Sequence, residues 1–232
     1  MKTIGLLGGM SWESTMGYYR EINEGVKNTL GGLHSAQIVM YSVDFEPIEK
    51  LQHEGDWDGT AKILSNAAQC AQSAGADFLL ICTNTMHKVA PQIEKSINIP
   101  LLHIADATAE VLVREGIKTV GLFGTLFTME EDFYKGRLRE NYGLNVLVPD
   151  EKDRQIVHKI IYQELCLGKI RSDSKIEYLR IIDMLAHQGA EAVILGCTEI
   201  GMLVSQGDTQ VKLFDTTAIH AKKAVAYAIL SV

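Results

Sequence analysis

The sequence has no excess of positive charge and no run of lysine and arginine. It carries 22 basic and 29 acidic residues among 232, which gives a formal net charge of −7. Nucleic-acid-binding surfaces need clustered basic side chains that neutralise phosphates. We therefore expect no nucleic-acid partner.

Long apolar runs are also missing. No stretch approaches the roughly 20 apolar residues that a membrane-spanning helix needs. The apolar run near the N-terminus, Ile4 to Leu7, is too short for the core of a signal peptide. We therefore expect a cytoplasmic protein with no membrane partner.

Cysteine is scarce, and its occurrences lack the spacing of a metal or redox site. Cys70, Cys82, Cys166 and Cys197 form no C-x-x-C pair, so we expect no metal centre. The segment Gly5–Ser11 also lacks the glycine spacing of a dinucleotide loop and the lysine of a P-loop. It predicts a tight turn from strand to helix, with the backbone close to a small anion.

Short apolar runs alternate with longer amphipathic stretches along the chain, and 47% of the residues are hydrophobic. This alternation predicts an α/β fold with parallel sheets, covered by helices on both faces. The predicted strands are Thr3–Leu7, Gln37–Val43, Asp77–Ile81, Leu101–Ile104, Thr119–Phe123, Asn145–Val148, Ala192–Leu195 and Lys212–Phe214. The predicted helices include Trp12–Lys27, Gly59–Ser73, Ile156–Leu167, Ser174–His187 and Thr216–Leu230.

Two segments of the first half recur in the second half in the same order. Thr3–Gly9 resembles Thr119–Thr125 at an offset of 119 − 3 = 116. Gly75–Asn84 resembles Gly189–Thr198 at an offset of 189 − 75 = 114. Ordered matches at similar offsets predict a duplicated structural unit.

A weaker third pair aligns Asp106–Thr108 with Asp215–Thr217, each expected to open a helix after a strand. The repeat predicts two pseudo-symmetric α/β lobes, with the active site in the cleft between them. We expect residues 1–104 plus 215–232 to form the N-terminal lobe and residues 105–214 to form the C-terminal lobe.

The second repeat aligns Thr83 with Cys197, each just beyond a predicted strand. In open parallel sheets, ligands bind beyond the carboxyl ends of the strands. Thr83 and Cys197 are therefore predicted on opposite sides of one ligand.

Cys197 is the strongest candidate for chemistry, with a packed structural cysteine as the alternative. The backbone N–H groups and the dipole of a following helix are expected to lower its pKa and favour the thiolate. Glu199 is placed to orient the thiol or to take its proton.

Polar residues near the other strand ends are candidates for binding a substrate carboxylate at helix N-termini. They are Asn84, Thr85 and Thr125, and the alternative for each is a helix cap. His87 is predicted to be a surface or capping histidine, and Trp12 a packing residue.

Several motifs together resemble the aspartate/glutamate racemase family over nearly the whole chain. They are Gly8–Thr15, Val43–Phe45, Gly55–Trp57, Asn84–His87 and Gly196–Glu199. The resemblance implies two Rossmann-like lobes, a site between them, a small amino-acid substrate, a homodimer, and no pyridoxal phosphate or other cofactor.

In that family two cysteines flank the Cα, and one removes its proton while the other returns a proton to the opposite face. Cys197 matches the second cysteine, but the first position is Thr83 here. Cys82 lies one residue earlier and is expected to point away, because neighbouring side chains on a strand face opposite ways. The substrate contacts that the resemblance implies are Met10, Gln52, Asn84, Thr85, Thr125, Lys169 and Thr198.

The sequence is thus interpreted as a cofactor-independent racemase of L-aspartate, L-glutamate or a broader set of amino acids. Cys197 is predicted as the base and Thr83 as the donor on the opposite face. Lys169, Arg20 and Lys50 are the candidate cations for a distal carboxylate. The alternatives are a maleate- or hydantoin-type isomerase that uses Cys197, and a carboxylate-binding module that has lost catalysis.

Overall fold

The computed structural model describes residues 1–229, so Leu230 and the end of the predicted first lobe lie outside the described residues. Seven strands and ten α-helices alternate within that range. The strands are β1 Ile4–Gly8, β2 Ile38–Ser42, β3 Phe78–Ile81, β4 Thr119–Gly124, β5 Asn145–Leu147, β6 Ala192–Gly196 and β7 Lys212–Asp215. The helices are α1 Trp12–Leu30, α2 Phe45–Glu54, α3 Trp57–Ser73, α4 Ala90–Ser96, α5 Ile104–Arg114, α6 Leu126–Glu130, α7 Asp132–Tyr142, α8 Glu151–Gln163, α9 Ser172–His187 and α10 Thr216–Ile229.

The chain divides into two compact units. The first consists of Met1–Ile104 together with the chain from His220, and the second of Ala105–Ile219. Residues 215–219 therefore belong to the second unit, although the sequence placed them in the first lobe. The reason is local, because the Thr216 hydroxyl donates to the Leu195 carbonyl at 2.8 Å and holds the start of α10 on the second sheet.

Both sheets are entirely parallel, which confirms the predicted fold class. The three strands of the first sheet and the first three strands of the second follow the same order. In the first unit β1 lies between β2 and β3, and in the second β4 lies between β5 and β6, with β7 beyond β6. In the first sheet Leu101 forms an isolated parallel bridge with Leu79 of β3. At the equivalent position of the second sheet, Leu213 of β7 pairs with Val193 of β6. Leu79 and Val193 are the residues that the offset of 114 aligns, so the strand register follows the repeat.

The strand predicted over Leu101–Ile104 is wrong beyond its first residue. The Pro100 carbonyl accepts from the Leu79 N–H at 2.8 Å, and the Leu102 N–H donates to the Leu79 carbonyl at 2.9 Å. The ladder then stops, because the next available amide, that of Ile104, donates to a histidine side chain and begins α5.

The third repeat pair is also displaced. Asp106–Thr108 lies inside α5, whereas Asp215 is the last residue of β7. The pairing of Leu101 and Leu213 gives an offset of 213 − 101 = 112, which makes His103 the residue equivalent to Asp215.

The helix predicted over 156–167 is shifted towards the N-terminus. The Asp150 carboxylate accepts from the Asp153 N–H at 2.9 Å and caps α8 one residue before Glu151. Carboxylates at this position stabilise a helix start. The C-terminal part, Leu165–Leu167, is a 3-10 turn.

The central strands are buried on both faces, as their continuous apolar sequences predict. In the first unit, α1 and α10 pack on one face of the sheet and α2, α3 and α4 on the other. In the second unit, α8 and α9 cover β4 and β6. No helix within residues 1–229 has both the length and the apolar character needed to cross a bilayer.

Candidate active-site residues

The turn after β1 is closed by its own hydrogen bonds. A Cβ on Gly8 would lie 2.3 Å from Thr15 Cγ2, and Gly9 has a φ of +95°, which favours glycine. The Gly9 N–H donates to Thr15 Oγ1 at 2.9 Å, and that hydroxyl donates to the Ser11 carbonyl at 2.8 Å. The Gly9 amide is therefore satisfied inside the turn rather than directed at an anion. Met10, an implied substrate contact, packs its side chain into the apolar core.

The turn after β3 carries Thr83, Asn84 and Thr85, and all three are buried. Its first residue, Cys82, packs in the apolar core beside α1 and α10, where burial raises its thiol pKa. The Cys82 side chain is thus part of the core cluster formed with α1 and α10. A 3-10 turn, Thr85–Val89, follows directly.

His87 ties this turn to the start of α5. Its Nδ1 lies 2.8 Å from the Thr83 carbonyl oxygen, and its Nε2 accepts from the Ile104 N–H at 3.2 Å. The ring is buried, so the prediction of a surface histidine is wrong and a cap to α5 is its observed contact. The His103 and His220 rings lie 4.4 and 6.1 Å away between centroids.

The strand ends of the second unit form a second group. Gly124 of β4 and Gly196 of β6 pair in register, and a Cβ on Gly124 would lie 2.8 Å from the Gly196 carbonyl oxygen. The next residues, Thr125 and Cys197, therefore leave neighbouring strands side by side. The Thr125 hydroxyl accepts from the Thr128 N–H at 3.3 Å as the cap of α6.

Cys197, Thr198 and Glu199 form one buried hydrogen-bonded cluster. The Cys197 thiol donates to Glu199 Oε2 at 2.9 Å, and the Thr198 hydroxyl donates to the same oxygen at 2.9 Å. All three residues are more than nine-tenths buried. Glu199 Oε2 therefore lies within proton-transfer distance of the Cys197 sulfur.

The expected lowering of the Cys197 pKa is wrong. Burial, the Glu199 carboxylate and Cys166 together raise the pKa of the Cys197 thiol well above its ordinary value. The expected helix dipole is missing, because the segment that follows is only a 3-10 turn, Ile200–Met202. The resting side chain is therefore a neutral thiol bonded to a carboxylate.

The remaining implied contacts lie on other elements. Gln52 is buried on α2, whereas Lys169 is exposed in the loop before α9. Of the other cations, Arg20 is exposed on α1 and Lys50 pairs with Glu54 at 3.9 Å on the surface. The strand ends thus group Thr83, Asn84 and Thr85 in one unit, and Thr125, Cys197 and Thr198 in the other.

Sequence reasoning missed two further residues. His158 accepts from the Leu126 N–H at 3.2 Å, and Tyr178 packs edge-on to Phe123 with ring centroids 5.0 Å apart. Burial and nearby groups, Cys197 first among them, raise the Tyr178 pKa. Both lie on helices whose apolar spacing gives no sign of a polar role.

This fold and these clusters define a two-unit parallel α/β protein with buried thiol, hydroxyl and carboxylate groups at its strand ends. A sequence model of the Asp/Glu/hydantoin racemase family matches residues 7–224. The chain belongs to that family, and it is an enzyme of the racemase class.

Solved structures and curated relatives agree with this assignment. A candidate Asp/Glu racemase from Yersinia pestis is 56% identical, with a TM-score of 0.91 over 99% of this chain and 100% of that chain. An aspartate racemase homologue from Pyrococcus horikoshii OT3 is 36% identical, with a TM-score of 0.84 over 98% and 99%. The broad specificity amino-acid racemase RacX of Bacillus subtilis (strain 168) is 21% identical over 96% of each chain.

Proposed function

We propose that this enzyme racemises L-aspartate, L-glutamate or a broader set of amino acids without a cofactor, with Cys197 and Thr83 acting on opposite faces of the Cα. The single observation that carries this proposal is the buried Cys197 thiol, which donates to the Glu199 carboxylate at a strand end. Thr83 holds the equivalent strand end in the first unit.

The first step generates the base. Glu199 takes the thiol proton, so that Cys197 becomes a thiolate while the carboxylate becomes a neutral acid. The thiolate then removes the α-proton and returns to the thiol. The transfer moves one negative charge between two adjacent buried groups, so no second charge has to be desolvated, and both groups stay within hydrogen-bond distance.

The second step returns a proton to the other face. The Thr83 hydroxyl donates to the carbanion while it takes a proton from water, and Glu199 releases its proton to water. Protons therefore balance over one turnover. An alcohol is a poor base at neutral pH, but it donates readily to a strongly basic carbanion.

The carbanion must be stabilised by donors directed at the substrate carboxylate, since no electron sink is invoked. Asn84, Thr85, Thr125 and Thr198 supply amide and hydroxyl groups at the strand ends, and each is buried. Hydrogen bonds in such a dry environment are stronger than in water. These four residues are proposed to hold the α-carboxylate, with Met10, Gln52 and Lys169 as the outer contacts.

The two halves differ in a way that favours one assignment of roles. The offset of 114 aligns Thr83 with Cys197 and Thr85 with Glu199, so the first unit lacks both the thiol and its carboxylate partner. Cys197 is accordingly the stronger base, and the resemblance to the family assigns it to the L form, so the reverse direction starts from the weaker side. Because racemisation has an equilibrium constant of one, kcat/KM must still match in the two directions.

The proposed partners are a small amino-acid substrate and a second copy of the chain in a cytoplasmic homodimer, with no nucleic acid or membrane. Trp12, Met16 and Tyr19 support the homodimer, because they form an exposed apolar stripe along α1. The prediction that Trp12 packs inside the chain is therefore wrong. Sedimentation of the wild type and of a Trp12→Glu variant tests the homodimer, which the variant should weaken.

The test of the function is α-proton exchange in deuterated water, followed by NMR and chiral chromatography. The L and D forms of aspartate and glutamate are offered first and neutral amino acids afterwards. We expect exchange with inversion for at least one of them, and loss of both in Cys197→Ser. If no amino acid exchanges, the racemase proposal fails. Trapping of an adduct on Cys197 with maleate would then favour the isomerase, and binding alone would favour the module.

A further inference from the structure

His87 makes two hydrogen bonds that are not part of the proposed proton transfers. Its ring lies between the Thr83 carbonyl oxygen, 2.8 Å from Nδ1, and the Ile104 amide, 3.2 Å from Nε2. These partners belong to different elements, the turn after β3 and the first residue of α5. The ring is therefore the direct link between the two.

The partners fix the tautomer of the ring. An amide N–H can only donate, so Nε2 must be the bare nitrogen, and Nδ1 must carry the proton that it donates to the Thr83 carbonyl. A protonated ring would set N–H against N–H. Burial first, and then His103 and His220, lower the His87 pKa well below its ordinary value.

The neighbouring His220 ring is also neutral. His220 accepts from the Tyr18 hydroxyl at 2.9 Å through Nδ1 and donates to the Leu102 carbonyl at 2.8 Å through Nε2. Burial lowers the His220 pKa to about 4. The backbone groups of Thr83 and Asn84 act in the opposite direction on the His87 pKa, but burial and the two neighbouring rings outweigh them.

The second unit has no counterpart of this link. The offset of 114 places Gly201 where His87 stands, and a Cβ there would lie 2.4 Å from Asp215 Oδ2. Asp215 instead accepts from the Thr217 and Ala218 amides at the start of α10. The imidazole link thus belongs to the half that carries Thr83.

We propose that His87 is a positioning residue for Thr83, and that its neutral imidazole fixes the turn from which Thr83 protonates the carbanion. This inference rests on the proposed function, because it assigns His87 to the reprotonation step alone. Proton removal by Cys197 does not depend on it.

The test uses two amide variants that each keep one of the hydrogen bonds. The amide of asparagine reaches the position of Nδ1, so His87→Asn keeps the bond to Thr83. The amide of glutamine reaches the position of Nε2, so His87→Gln keeps the bond to Ile104 and loses the bond to Thr83. His220→Gln is the matched control, because it alters a buried neighbour that does not contact Thr83.

The readout is a ratio of two products from one L amino acid in deuterated water, with L-aspartate as the probe. Deuterated D product reports protonation from the Thr83 side, and deuterated L substrate reports return from the Cys197 side after the thiol proton has exchanged with the solvent. A ratio does not depend on how much of a variant is folded. We expect His87→Gln to raise the L-to-D ratio about fivefold, the effect of losing one hydrogen bond. His87→Asn and His220→Gln should match the wild type.

Three outcomes would overturn the inference. One is an unchanged ratio in His87→Gln, and another is an equal rise in His87→Asn and His87→Gln. The third is an equal rise in His220→Gln. If the wild type itself exchanges no α-proton, the proposed function fails instead, so the two failures are distinguishable.

Discussion

The turn after β3 and the turn after β6 follow equivalent strands, yet different side chains form the hydrogen bonds that hold each turn. In the first, the neutral ring of His87 joins the Thr83 carbonyl to the start of α5. In the second, the Glu199 carboxylate receives the Cys197 and Thr198 side chains, and Asp215 caps α10. A duplicated framework therefore carries one half with a carboxylate-bound thiol and one half with an alcohol and an imidazole.

The largest effect is expected from the half that carries the thiol. Glu199→Gln keeps the shape but removes the acceptor for the Cys197 proton, so kcat should fall about 10²-fold. Glu164→Gln is the matched control, because it makes the same change at a carboxylate that accepts from the Ser174 hydroxyl rather than from Cys197. Steady-state kinetics check the comparison, and an equal loss in both variants would contradict a proton-accepting role.

The same variant should change the thiol. Burial and then the Glu199 charge raise the Cys197 pKa, so removing that charge should lower it and increase thiolate at a given pH. The rate of iodoacetamide labelling of Cys197 at pH 8, followed by mass spectrometry, should rise in Glu199→Gln. A slower or unchanged rate would mean that Glu199 does not act on the thiol electrostatically.

Much of the fold was predictable because it depends on local patterns. Apolar runs such as Ala192–Leu195 mark buried strands, and the repeat identifies Thr83 and Cys197 as equivalent. The prediction of a strand over Leu101–Ile104 was wrong because the Ile104 amide donates to the side chain of His87, which lies 17 residues earlier in the sequence. The prediction of a lowered Cys197 pKa was wrong because the sequence does not show that the Glu199 side chain contacts the thiol. It also does not show that a short 3-10 turn stands where a helix was expected.

A moderate effect on stability is expected at the position where the two halves differ. In Gly201→Ala the new Cβ would lie 2.4 Å from Asp215 Oδ2, so overpacking should lower the free energy of unfolding by about 1–3 kcal/mol. Gly17→Ala on α1 meets nothing within 4 Å and should raise stability by about 0.5–1 kcal/mol. Urea unfolding measures both, and equal effects would contradict the close approach of Asp215.

A further effect on stability, confined to acid, is expected in the first unit. Burial lowers the His220 pKa from an ordinary 6.5 to about 4, so the unfolded chain binds this proton more readily than the folded one. Stability from this group is present above pH 6.5 and is lost as the pH falls towards 4, by up to about 3 kcal/mol. In His220→Gln the free energy of unfolding should depend less on pH between pH 7 and pH 4 than in the wild type. An equal dependence on pH in both proteins would contradict a neutral His220 in the folded state.

The central claim is that Cys197 removes the α-proton and Thr83 returns a proton to the other face. It is tested most directly by comparing Thr83→Val with Cys197→Ser on L-aspartate in deuterated water. The account predicts that Thr83→Val still exchanges the α-proton but returns mostly L product, because Cys197 still removes the proton and no donor acts from the other face. Cys197→Ser should lose exchange and inversion together, by about 10³-fold. Full inversion in Thr83→Val, or exchange that survives in Cys197→Ser, would contradict the account.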